Sequence, residues 1–162
     1  MFRKILTLSA VVLALSVVSC SSKKKKAGDG TTTISGEKVS FSAMGSDSGE
    51  INGLTTVNFE YDRAALTSET KKILEGNANW IKNHKGVSLQ IEGHCDSRGS
   101  VEYNLALGER RAQAVKNFLV RQGVASKRMT IISYGKEKPV ALGDTEEAYA
   151  KNRRANFVPL PN

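Results

Sequence analysis

With 162 residues and a formal net charge of +8, from 24 basic and 16 acidic side chains, the chain has material for one ordinary domain. It is too short for a dinucleotide-binding fold, and no glycine-rich phosphate turn opens either of its long helical patterns. So basic a balance would suit nucleic acid, but the first twenty residues direct the chain elsewhere.

Those residues read MFRKILTLSAVVLALSVVSC. Arg3 and Lys4 make a short positive region, and the uncharged run from Ile5 to Val18 has the length of a secretory core and is short for a membrane span. The run ends in Val17-Val18-Ser19-Cys20, which resembles the lipobox of bacterial lipoproteins. That resemblance implies cleavage before Cys20, lipid on its new N-terminus, and, with Ser21 following, sorting to the outer membrane. Cleavage removes two of the 24 basic side chains and no acid, leaving +6. An exported chain is a poor partner for nucleic acid. With Cys20 lipidated, Cys95 is the only thiol left, so no internal disulfide supports the fold.

From Ser21 to Gly53 the chain is rich in Ser, Thr, Gly, Lys and Asp, including the run Lys23 to Lys26, and reads as a flexible tether. The organisation expected is therefore a signal peptide over 1–19, a lipidated and flexible segment over 20–53, and a domain over 54–162. Within the domain, TTVNFEY (55–61) alternates as a strand. The stretch 66–84 is a helix with Thr67 as N-cap and a stripe of Ile73, Leu74, Ala78 and Ile81. VSLQIEG (87–93) is a strand with Val87, Leu89 and Ile91 inward. The stretch 100–123 is the strongest helix, with Val101, Leu105, Gly108, Ala112, Val115 and Leu119 along one face and Gly123 as stop. A strand over 128–134, a short helix over 144–152 and an edge strand over 155–160 complete the pattern, Pro159 fitting an edge. The order β-α-β-α-β-α-β predicts an α/β (α+β) domain, a small mixed sheet with helices packed against it.

Chemistry gathers between the second strand and the second long helix. Helical geometry puts Asn104, Leu107 and Arg111 on the shoulder of the buried face and Arg110 in solvent. Arg111 then aims along the core edge toward the loop CDSRGS (95–100), which carries Asp96 and Arg98. A half-buried guanidinium needs a carboxylate. Two readings stand at this point: Asp96 and Arg111 form a structural ion pair, or they clamp a zwitterion, Arg111 on its carboxylate and Asp96 on its ammonium. A catalytic or metal reading of His94-Cys95-Asp96 fails, because successive strand side chains alternate and the only other histidine is His84. His94 is expected to be a hydrogen-bonded structural residue and Cys95 a half-buried filler.

The pattern Gly93-His94-x-Asp96-x-x-Gly99-x-x-x-Tyr103-Asn104, followed by Leu107-x-x-x-Arg111-Ala112, resembles the signature of OmpA C-terminal-like peptidoglycan-binding domains. FEYD (59–62), Gly123-Val124, Tyr134-Gly135 and Asn152-Arg153-Arg154 continue it, over about residues 54–158. GERRA (108–112), SYGKEKPV (133–140), the lipobox and the tether resemble the lipid-anchored, peptidoglycan-associated branch of that family. The resemblance implies a non-enzymatic protein without cofactor or metal that binds meso-diaminopimelate in wall stem peptides. It places the ligand on Asp96 and Arg111, first-strand contacts on Tyr61 and Asp62, the pocket wall on Asn104 and Leu107, and a further arginine at Arg98. It also implies an outer-membrane anchor at Cys20 and TolB and other Tol proteins as partners; the alternative is a wall-binding lipoprotein of the same type without them. Two positions depart from the pattern: Cys95 stands where Thr or Ala is usual, and Glu60 where Asp or an aromatic is usual.

Overall fold

The computed structural model describes residues 31–34, 37–40 and 45–161. The expected signal peptide (1–19) and Cys20 lie outside the described residues. In chain order the elements are β1 (Thr31–Ile34), β2 (Glu37–Ser40), a 3₁₀ turn (Ser46–Ser48), β3 (Val57–Asn58), α1 (Ser68–Asn83), β4 (Val87–His94) and α2 (Val101–Arg121). A second 3₁₀ turn (Ser126–Arg128), β5 (Met129–Gly135), α3 (Glu146–Asn152) and β6 (Arg154–Pro161) follow. β1 and β2 pair antiparallel as a two-stranded ribbon.

The domain's sheet has the order β3-β6-β4-β5, with β4 parallel to β5 and antiparallel to β6. One face carries Leu89, Ile91, Met129, Ala155 and Phe157 against Leu74, Ala78 and Ile81 of α1 and Ala112, Val115 and Leu119 of α2. Each helix starts where a hydroxyl accepts a backbone N–H: Thr67 from Thr70, Ser100 from Tyr103 and Thr145 from Ala148. The α/β architecture is the one expected from the element order.

Three details differ from the sequence reading. β6 is internal rather than an edge strand. β3 covers it only at Arg154 and Ala155, so its outer side is free of strand pairing further along. The Phe157 N–H points outward to Ser46 Oγ, and Pro159, two residues on, shares that direction, so its missing donor removes no ladder bond. Secondly, Val101 and Leu105 are each 39% exposed, while α2 buries Asn104, Leu107, Gly108 and Arg111. The helix seats where Gly108 meets Gly93 of β4, which rotates the buried face toward Arg111. Thirdly, composition starts the domain at residue 54, but Ser46 and Asp47, earlier in the chain, already pack onto it. Ser46 Oγ and the Asp47 N–H both donate to Asn156 Oδ1 (2.9 and 3.0 Å), and the Asp47 carboxylate lies 3.0 Å from Arg154.

At the end of β4 the pairing with β5 slips, Gly93 facing Ser133 but His94 facing Gly135. The irregularity turns the chain out of the sheet, and the Cys95 N–H holds it by donating to Gly135 O at 2.8 Å. The loop 95–100 therefore leaves the strand end over the N-terminus of α2.

Candidate functional site

The structure brings Tyr61, Asp62, Asp96, Arg98, Asn104, Leu107 and Arg111 together around one crevice of about 220 Å³, with Cys95, Gly99 and Tyr103 completing its lining. Four segments contribute: the turn after β3, the loop after β4, the first three turns of α2 and, behind Asp96, Arg153 at the junction of α3 and β6.

Arg111 is the base of the site. It is 0% exposed rather than on a shoulder. Its Nε donates to Arg63 O (2.9 Å), its Nη2 to Glu60 O (3.1 Å), and its Nη1 to His94 O (2.9 Å) and to Cys95 Sγ (3.4 Å). The two carbonyls of Glu60 and Arg63 bracket Tyr61 and Asp62, so Arg111 holds those residues at the crevice mouth. Among the described residues no carboxylate pairs with it. Burial lowers its pKa, opposed by the neighbouring Cys95 and Asp96, and a guanidinium remains charged regardless. Four of its five N–H groups are engaged, which leaves one on Nη2 beside the crevice.

Asp96 is paired, but not with Arg111, so the structural ion pair of those two residues is not found. Its Oδ1 accepts from the Arg98 N–H and Nε, both at 3.2 Å. Its Oδ2 accepts from Arg98 Nη2 at 2.6 Å and Arg153 Nη1 at 3.3 Å. Burial pushes the carboxyl upward, and these arginine contacts more than reverse that, holding it below its ordinary value. Arg153 is set deep in the fold, with its Nε on Phe59 O (3.0 Å) and its Nη2 on Glu146 (2.8 Å). Arg98 lies at the rim, between the rings of Tyr61 (4.0 Å) and Tyr149 (4.2 Å).

The mouth is polar and aromatic. Asp62 takes a left-handed backbone (φ 53°), tolerated by aspartate better than by most residues, and accepts a hydrogen bond from the Tyr103 hydroxyl. Asn104 is an inward brace, its amide donating to Arg98 O (2.7 Å) and Ser100 O (3.0 Å). Leu107 supplies the apolar wall. Cys95 is fully rather than half buried, and burial raises its thiol pKa despite Arg111, so it stays protonated and a poor nucleophile. Tyr103, Tyr149, Glu146 and Arg153 also belong to the site. Tyr103 and Arg153 stand in the family pattern quoted from the sequence; nothing local marks Tyr149 and Glu146.

His94 turns to the opposite face of the sheet, stacked on Tyr134 with ring centroids 5.6 Å apart. The expected hydrogen bonds are missing: neither ring nitrogen has one, and Nε2 lies 3.5 Å from the Glu92 carboxylate. Burial lowers its pKa below the ordinary 6.5, with Glu92 opposing. The unfolded chain then binds the proton more readily, so His94 lends stability above about pH 6.5 that is lost as pH falls through its lower folded value. Urea midpoints are expected to fall between pH 7.5 and 5.5 in the native sequence and to fall less in His94→Asn. Equal slopes in the two proteins would show that His94 does not titrate on unfolding.

A small open mixed sheet backed by two helices, with a charged crevice where a strand end meets a helix start, defines an α/β module. Residues 58–153 match the model of the OmpA family. Over 158 aligned residues the chain is 42% identical to the peptidoglycan-associated lipoprotein of Pseudomonas aeruginosa, covering 92% of this chain and 94% of that one. It is 38% identical to the protein of the same name from Mesorhizobium japonicum, covering 90% and 86%. The crystal structure of the peptidoglycan-associated lipoprotein from Burkholderia pseudomallei superposes with a TM-score of 0.63 at 42% identity, covering 65% of this chain and 89% of that one. The chain belongs to the OmpA family and, within it, to the peptidoglycan-associated lipoproteins. The relatives carry the name of a wall-associated lipoprotein and not of an enzyme.

Proposed function

We propose that the crevice holds the meso-diaminopimelate side chain of peptidoglycan stem peptides, and that lipid on Cys20 anchors the same chain in the outer membrane. The observation that carries this reading is Arg111: a fully buried guanidinium held by backbone carbonyls, with no carboxylate partner among the described residues and one N–H left beside an open crevice. A ligand carboxylate supplies the missing counter-charge. Diaminopimelate carries a carboxylate and an ammonium on its distal carbon, matching Arg111 and Asp96. Leu107 lies against its methylenes, Asn104 braces the wall, and Tyr61, Asp62 and Arg98 surround the entry. Anchored at both ends, the protein ties the outer membrane to the wall from the periplasmic side. The family relationship supports TolB and the other Tol proteins as its partners in envelope integrity and cell division.

Calorimetric titration of residues 21–162 with a soluble meso-diaminopimelate muropeptide tests the reading against the otherwise identical lysine muropeptide. Lysine lacks the distal carboxylate, so its affinity is expected to be lower by roughly a hundredfold. Equal affinity for the two would remove Arg111 from ligand recognition.

A further inference from the structure

The side chain meant to take the ligand's ammonium is already occupied. Asp96 accepts four hydrogen bonds, three of them from Arg98, and a carboxylate has about four lone-pair positions. The two arginines that fill it are unlike. Arg153 is 8% exposed and tied to Phe59 O and Glu146, so it is part of the frame. Arg98 is 33% exposed, reaches back only two residues, and lines the crevice that the ligand enters. Its guanidinium has other holds that do not involve Asp96: the faces of Tyr61 and Tyr149 on either side, and Glu146 at 3.4 Å.

From this arrangement we infer that Arg98 is an internal stand-in for the ligand: its guanidinium holds the cation position on Asp96 and is exchanged for the ammonium on binding. This rests on the wall-peptide reading above. Two anions, Asp96 and Glu146, face two cations, Arg98 and Arg153, so the buried carboxylate is not left bare. On exchange the ammonium takes the Oδ2 side of Asp96, while Arg98 stays between the tyrosines and keeps Glu146. Arg98 is then a specificity-setting residue: a ligand without a cation cannot displace it, and a ligand with one gains only the difference between two cations. Wall contacts formed in this way remain exchangeable, as a tether on a remodelled wall requires.

The test measures Kd by calorimetry for the native chain, Arg98→Met and Arg98→Lys. Two muropeptides serve as probes: one with meso-diaminopimelate, and its desamino analogue, which keeps the distal carboxylate and lacks the ammonium. Methionine preserves packing between the tyrosines and removes the competing cation. Arg98→Met is expected to tighten the diaminopimelate muropeptide by about tenfold while leaving the analogue within about twofold. Arg98→Lys, which keeps a cation without the two-point grip, is expected to tighten it less and serves alone if the methionine protein does not fold. Weakening of both ligands in either variant overturns the inference, because Arg98 then contacts the carboxylate directly. Unchanged affinities, with diaminopimelate binding lost in Asp62→Asn, overturn it too and place the ammonium on Asp62. A native chain that binds neither ligand refutes the wall-peptide reading itself, whereas the other failures leave that reading standing.

Discussion

Arg111→Ala is expected to abolish muropeptide binding and to lower the unfolding free energy by about 4 kcal/mol. Three backbone carbonyls, those of Glu60, Arg63 and His94, lose their donor together. The His94 acceptor is buried and costs roughly 1–3 kcal/mol when unsatisfied, those of the exposed residues Glu60 and Arg63 cost less, and the guanidinium also packs over the Phe59 ring at 5.1 Å, so its removal leaves a cavity as well. Removing a buried charge returns part of this, because the cost of its desolvation disappears as well. The sum still falls on the destabilising side, because Arg111 ties the turn 60–63 to the end of β4. Arg111→Lys separates the two roles. One ammonium cannot reach three carbonyls that approach from three directions, so about half the stability loss is expected to remain and binding to weaken by at least about tenfold. Urea unfolding followed by circular dichroism, beside the same calorimetric titration, reads both effects. An alanine protein within about 1 kcal/mol of the native one would mean that water satisfies those carbonyls and that Arg111 does not build the site.

Most of the fold was legible because its signals are local. Val87, Leu89 and Ile91 alternate, Leu74, Ala78 and Ile81 recur at helical spacing, and Thr67 and Ser100 cap where a hydroxyl before a helix should. What failed depends on neighbours far away in the chain. Pro159 reads as an edge residue, and only the two-residue length of β3 makes it harmless inside the sheet. Val101 and Leu105 fit the apolar stripe of α2, but the Gly93–Gly108 seam sets a different rotation and leaves them half in solvent. In the site, spacing was enough to bring Asp96 and Arg111 to one crevice. It was not enough to show that they do not touch, because the partners that fill Asp96 include Arg153, 57 residues on, and the partners of Arg111 are carbonyls with no sequence signature.

Gly93→Ala is the second change with a large expected effect, about 3–5 kcal/mol of destabilisation with loss of ligand in whatever remains folded. A Cβ on Gly93 would lie 1.9 Å from the carbonyl oxygen of Gly108 and 2.5 Å from its carbon. Both are backbone, so relief requires α2 to move off β4 by about 1.5 Å to reach ordinary contact at 3.4 Å. Arg111 rides the same helix one turn further on, and its bonds to Arg63 O and His94 O, at 2.9 Å, do not survive such a shift. Gly108→Ala is expected to be milder. Its Cβ first meets Ser133 Oγ at 2.3 Å, a side-chain end that can turn away, and then Gly93 O at 2.9 Å. Ser133→Ala should therefore recover part of the loss in Gly108→Ala and none of it in Gly93→Ala, a difference that a double-mutant cycle reads directly. Gly76→Ala in α1 is the opposite case. Nothing lies within 4 Å of its Cβ position, and the better helix former should raise stability by about 0.5–1 kcal/mol. If Gly93→Ala instead unfolds within about 1 kcal/mol of the native chain and still binds muropeptide, the helix is free to slide on the strand, and the position of Arg111 must be set by the carbonyls it grips rather than by the seam beneath it.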